Sequence, residues 1–179
     1  RGMYFSVRDQ GLFRKMMDNW PENDVDIIVV TDGSRILGLG DLGANGMGIP
    51  VGKLSLYVAA GGIHPNRTLP VLIDVGTNNQ DLLNDPLYLG INKTRLTGDK
   101  YYELIDEFID GVQDRWPGAL IQFEDFTNDH AFPLLEKYKN KVLCFNDDIQ
   151  GTGAVALAGL LGALRITEGN LKDQKIVFL

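Results

Sequence analysis

Two short apolar stretches run straight into carboxylates: Ala119 to Phe123 into Glu124-Asp125, and Val142 to Phe145 into Asn146-Asp147-Asp148. If both are parallel strands, their carboxyl ends open on one sheet edge, where open α/β folds bind ligands. Converging carboxylates repel unless a positive group lies between them. A hard divalent cation, Mg²⁺ or Mn²⁺, supplies that charge, takes oxygen ligands and keeps octahedral positions for substrate and water. The other reading is that acids at strand ends cap the helices that follow, as Asp148 would just before Gln150. Lys53 stands in the expected first turn of a helix opened by Pro50. There the positive end of the helix dipole and partial burial both disfavour the charged amine, and a neutral lysine is a general base near pH 7. A solvated lysine with a small dipole penalty is the alternative. Arg35 follows Asp32-Gly33-Ser34 on a loop. Its planar fork suits a substrate carboxylate, and it suits equally well the tying of its own loop through Asp32 or Asp41.

Gly38-Leu39-Gly40-Asp41-Leu42-Gly43 matches the dinucleotide pattern G-x-G-x-x-G. That pattern works only when a strand ends at the first glycine and an acid for the ribose follows about 20 positions later. The nearest strand ends near Thr31 and positions 60 to 66 hold no acid, so a structural loop is expected. His64 and His130 lack metal-ligand spacing, and Cys144, mid-strand, reads as a small core hydrophobe.

The elements that must position these groups follow from periodicity. Leu12, Met16 and Trp20 recur at helical spacing until Pro21 stops them. Asp26 to Thr31 and Thr68 to Asp74 are apolar runs without polar alternation, the mark of strands buried on both faces. A helix runs from Pro50 through Leu54 and Val58 to Gly61-Gly62, and Asn78 to Asp99 is a turn-rich connection. Tyr101, Leu104, Ile105, Phe108, Val112 and Trp116 share one helical face that Pro117 ends. Ala119 to Phe123, a helix around Phe132 to Tyr138, and Val142 to Phe145 form a βαβ unit with parallel strands. Gln150 to Ile166 should be a buried helix, and Lys175 to Leu179 should begin a further strand. The fold class is therefore α/β, a mostly parallel sheet flanked by helices.

With 179 residues, 44% of them hydrophobic, the chain has material for one domain and part of another. Seventeen Lys+Arg against 24 Asp+Glu give a net charge of −7, which argues against nucleic acid or an anionic membrane surface as partner. A single cysteine makes no internal disulfide. No apolar run is expected to reach the roughly 20 residues of a membrane helix, and Arg1 to Gln10 lacks a signal-peptide pattern. Arg1 in place of an initiator Met and an apolar end at Leu179 set the expectation of a piece cut at both ends.

Five segments resemble, in order, the successive signatures of malic enzymes: Thr31-Asp32-Gly33-Ser34-Arg35 through Gly43, Gly52-Lys53-Leu54, Asp74-Val75-Gly76-Thr77-Asn78-Asn79, Gln122-Phe123-Glu124-Asp125-Phe126, and Phe145-Asn146-Asp147-Asp148-Ile149-Gln150-Gly151-Thr152. The resemblance implies oxidative decarboxylation of malate to pyruvate and CO₂, with NAD or NADP as hydride acceptor and Mn²⁺ or Mg²⁺ bound. By motif position it implies Glu124, Asp125 and Asp148 as metal ligands, Lys53 as general base with Asp147 beside it, and Arg35 on malate. It places the glycine pattern on a substrate-side loop. It further implies a substrate and metal domain over 1–146, the start of a nucleotide-binding domain over 147–179, and a homo-oligomeric parent, dimer or tetramer. Such a parent would be cytoplasmic, or in the mitochondrial or plastid matrix if a transit peptide precedes it.

Two features depart from the pattern. The family's tyrosine acid falls before Arg1, and the glycine fingerprint of the Rossmann-type domain falls after Leu179. This chain by itself is therefore not expected to transfer hydride, and its cofactor-binding residues are unassigned. Three other readings stay open: a malolactic-type enzyme that releases lactate, a metal-dependent oxaloacetate decarboxylase, and a non-catalytic dicarboxylate-binding module.

Overall fold

The computed structural model describes residues 1–177. Five strands, β1 Met3–Ser6, β2 Ile27–Thr31, β3 Thr68–Asp74, β4 Leu120–Phe123 and β5 Cys144–Asn146, form one sheet in the order β1-β3-β2-β4-β5. The β1–β3, β2–β3 and β2–β4 pairings are all parallel. Every residue of β2 and all of β3 after Thr68 are buried, which is why neither shows polar alternation.

The register separates the two faces. Ile27 and Val29 pack with Leu54 of α2 (Gly48–Gly61) on one side. Phe5, which alternation places on the other side, meets Phe13 of α1 (Phe13–Met17) and Phe108 of α4 (Asp99–Arg115) at ring centroid distances of 4.8 and 5.6 Å. The predicted face of α4 is the buried one, and the Trp116 indole N–H donates to the Asn23 carbonyl at the helix end. The connection between β3 and α4 holds one short helix, α3 (Gln80–Asn84), capped by the Asn79 side chain. After β4, α5 (Asn128–Tyr138) begins earlier than the sequence suggests and carries Pro133 inside it.

Residues Arg1–Phe145 form one compact unit and Asn146–Leu179 a second. The second contains α6 (Thr152–Thr167). This helix is expected to be buried, yet Val155 is 74% and Ile166 86% exposed, because among the described residues the only regular element that follows it is the single turn Leu171–Asp173. Together with the turn before it, Asp147–Thr167 is a 21-residue stretch that contains an 18-residue window of mean hydropathy 1.4, long and apolar enough by length and composition to cross a membrane. A search for unbroken apolar runs misses it, since Gln150, Thr152, Arg165 and several glycines interrupt the sequence. Lys175 to Val177 form no strand, and Phe178 and Leu179 lie outside the described residues. Cys144 is half-buried rather than core, as befits the edge strand of the sheet, and burial pushes its thiol pKa up.

Candidate active site

The site is built where β4 meets α2. Gln122 on β4 and Glu124, one residue past its end where the ladder still continues, are two residues apart and so share a face, about 6.6 Å from one to the next. On α2, Lys53 and Tyr57 are four apart and also share a face, about 6.0 Å along the axis. The steps match, and because the helix runs back against the strand the pairs meet one to one. Lys53 Nζ lies 3.1 Å from Glu124 Oε1, and the Tyr57 hydroxyl donates to Gln122 Oε1 at 2.5 Å. Gln122 Nε2 closes the row by donating to Glu124 Oε2 at 2.6 Å.

Burial makes this arrangement chemically significant. Glu124 is 1% and Asp125 3% exposed, and such adjacent carboxylates are rarely buried without compensating positive charge. Lys53 supplies one such charge. Glu124 N–H continues the ladder to the Val30 carbonyl, while Asp125 takes a left-handed backbone, φ +56°, uncommon outside glycine and a recurrent sign of functional constraint.

Lys53 is not in the first helical turn. The glycine-rich stretch closes in a 3-10 turn, Gly43–Met47, that runs directly into α2, so the helix starts at Gly48 and Lys53 falls in its second turn. The dipole acts mainly within the first turn, and what faces the ammonium is Glu124.

Arg35 is exposed, donates through Nη1 to Asn128 Oδ1 at 2.6 Å, and does not tie its own loop. Arg95, which the sequence reading passed over, does that. Its guanidinium grips Asp41 in bidentate fashion, at 2.9 and 2.6 Å, and donates to the Asp32 carbonyl at 2.9 Å. Both ends of the loop that carries Arg35 are therefore held by one buried fork. Burial opposes the charge of Arg95, and its hydrogen bonds to Asp41 together with the nearby charge of Asp32 more than offset this, raising the pKa. Asp32 also accepts from Ser34 and from the Tyr101 hydroxyl, and His130 stacks on Tyr101 at 3.9 Å.

Between these ends the dinucleotide-like glycines form a small structural loop. Ile36 bridges Gly40, and Gly38, Gly40 and Gly43 all have positive φ. Gly33, at φ +69°, has no room for a side chain, since a Cβ there would lie 2.1 Å from the Gly43 carbonyl oxygen. Gly33→Ala is expected to cost about 2 kcal/mol or more of stability. Urea unfolding measures this, and an unchanged midpoint would contradict it.

In the second unit, Asp147 and Asp148 open an irregular turn, Asp147–Gly151. The residue at the N-cap is Asn146, whose Oδ1 accepts from Ile149 N–H, and Gln150 Oε1 accepts from Asn146 N–H, each at 3.0 Å. Capping thus falls to Asn146 and Gln150.

Three residues of the site escaped the sequence reading. Gln122 carried a signal, an amide inside the apolar stretch Ala119 to Phe123, and Tyr57 stands one helical turn from Lys53. Arg95, in a segment without periodicity, carried none.

Sheet and site together define a parallel α/β domain with its chemistry on the carboxyl edge. Residues 1–139 match the family described as malic enzyme, N-terminal domain, and residues 149–179 match malic enzyme, NAD binding domain. The chain belongs to the malic enzyme family. It is 58% identical over 179 residues to the NADP-dependent malic enzyme of Dictyostelium discoideum, covering 100% of this chain and 33% of that protein. With the mitochondrial NADP-dependent malic enzyme of Mus musculus it shares 56% over 179 residues, covering 99% and 30%. The chain therefore spans about a third of the length of the curated relatives it matches. Among solved structures, a malic enzyme from Pyrococcus horikoshii Ot3 superposes with a TM-score of 0.54 at 27% identity, covering 93% of this chain and 32% of that one.

Proposed function

We propose that the enzyme carrying this chain converts malate to pyruvate and CO₂ with reduction of NAD or NADP, and that residues 1–146 are its substrate and metal domain. One observation supports this above the others: the Lys53 ammonium sits 3.1 Å from a buried carboxylate, Glu124, whose neighbour Asp125 is buried as well. Glu124 and Asp125, with Asp148 added by motif position, would hold Mn²⁺ or Mg²⁺. When bound, the metal supplies a Lewis acid and the nicotinamide a hydride acceptor. The chain's own residues do the rest. In its neutral form Lys53 would take the proton of the malate hydroxyl on Nζ and become the ammonium, and Glu124 would orient that amine. Arg35, its loop locked by Arg95, binds the carboxylate that remains in pyruvate. Asp147 is assigned a place beside the base by motif position alone. Helix α6 falls in the stretch matching the NAD binding domain, and we read it as a core helix of that domain rather than a membrane span.

Titrating Mn²⁺ by electron paramagnetic resonance into wild type and Asp148→Asn tests the ligand set. Loss of a ligand should weaken binding at least as much as loss of an outer partner does, by about tenfold or more. Equal binding would remove Asp148 from the set.

A further inference from the structure

Resting on the metal reading above, we propose that Tyr57 and Gln122 are positioning residues that fix the rotation of the Glu124 carboxylate, so that Oε1 rather than Oε2 answers to a cation. In the structure Oε1 already does so, meeting Lys53 Nζ at 3.1 Å. Gln122 is 0% exposed within an otherwise apolar strand, and a buried amide is kept only where both its ends are hydrogen-bonded. The chemistry dictates the order of those bonds. An ionised carboxylate only accepts, so it must face the amide NH₂ of Gln122, and the amide oxygen then turns the other way and needs a donor. The Tyr57 hydroxyl is that donor. A flipped amide would set its carbonyl against the Glu124 carboxylate, so the carboxylate selects the orientation, and the Tyr57 hydroxyl, donating to the outward amide oxygen, holds Gln122 Nε2 on Oε2 at 2.6 Å.

The matched steps of helix and strand make this a rigid device. Lys53 and Tyr57 belong to one helical face, Gln122 and Glu124 to one strand face, and the Tyr57 ring packs on the cluster of Ile27, Val29 and Leu54. Hydrogen-bonded partners that orient a metal-ligating carboxylate are typically worth about 10- to 100-fold in metal affinity.

The test is a Mn²⁺ titration, followed by electron paramagnetic resonance, of the full-length enzyme as wild type, Tyr57→Phe and Gln122→Met. Tyr57→Phe keeps the ring and its packing, so it stays informative even if Gln122→Met fails to fold. We expect Tyr57→Phe to bind Mn²⁺ about tenfold more weakly at an unchanged thermal midpoint. In turnover, saturating Mn²⁺ should restore kcat while the half-saturating Mn²⁺ concentration rises in parallel. Mn²⁺ affinity equal to wild type would overturn the proposal, as would a lowered thermal midpoint with unchanged affinity, the mark of a merely structural contact. A wild-type protein that binds no Mn²⁺ would overturn the metal reading itself and this inference with it.

Discussion

Lys53→Ala, made in the full-length enzyme, is expected to lower kcat by about 10²- to 10⁴-fold while the KM for malate changes far less, because a general base acts in the transition state. Lys53→Arg should not recover the rate, since a guanidinium holds its proton and its fork does not reproduce a single Nζ beside Glu124. Steady-state kinetics with malate at saturating metal decides the matter. A variant whose loss falls mainly on KM would make Lys53 a binding residue. Mn²⁺ affinity measured alongside separates the two roles from damage to Glu124, the carboxylate that Lys53 touches.

Arg95→Met is expected to be the most destabilising single change outside the apolar core, by about 3 to 5 kcal/mol, because it leaves Asp32 and Asp41 without the cation that compensates them. The same change frees both ends of the loop bearing Arg35, so malate KM should rise as well. Chemical denaturation and KM are the two measurements, and a loss below about 1 kcal/mol would show that the fork is dispensable. Acid should weaken the same region in two stages. Burial lowers the pKa of His130 below its ordinary 6.5, so the fold favours the neutral ring, and this contribution is lost as pH falls below that value. Asp41 follows at lower pH. Burial opposes its ionisation, but hydrogen bonds from Arg95 and the Asn78 N–H more than offset this and hold its carboxyl below 3.8; the stability it lends is present above the unfolded value and lost as pH falls through the folded one. His130→Phe should preserve the stack on Tyr101 and flatten the upper stage.

Much of this was legible in the residues, for identifiable reasons. β2 and β3 betray themselves because central parallel strands have no polar face, and α4 because one of its faces is apolar and the other charged. Glu124 and Asp125 stand out as acids ending an apolar run. What escaped depends on partners distant in sequence. Arg35 and Arg95 carry the same fork, and only the fold assigns Arg95 to Asp41 and leaves Arg35 on Asn128. The start of α2 was misplaced because Pro50 favours a first-turn position, whereas the glycines before it close a 3-10 turn that no propensity announces. For α6 the apolar composition on all sides suggests burial, but the helix is exposed, because no other long element of its unit lies among the described residues.

The acids and the lysine at this sheet edge are proposed to serve oxidative decarboxylation of malate. The most direct test supplies the full-length enzyme with malate, Mn²⁺ and either NAD or NADP, and measures reduced coenzyme at 340 nm together with pyruvate. The account predicts one pyruvate per reduced coenzyme, with both lost on chelation of the metal and restored by Mn²⁺. Lactate formed without net reduction, or turnover confined to added oxaloacetate, would contradict it.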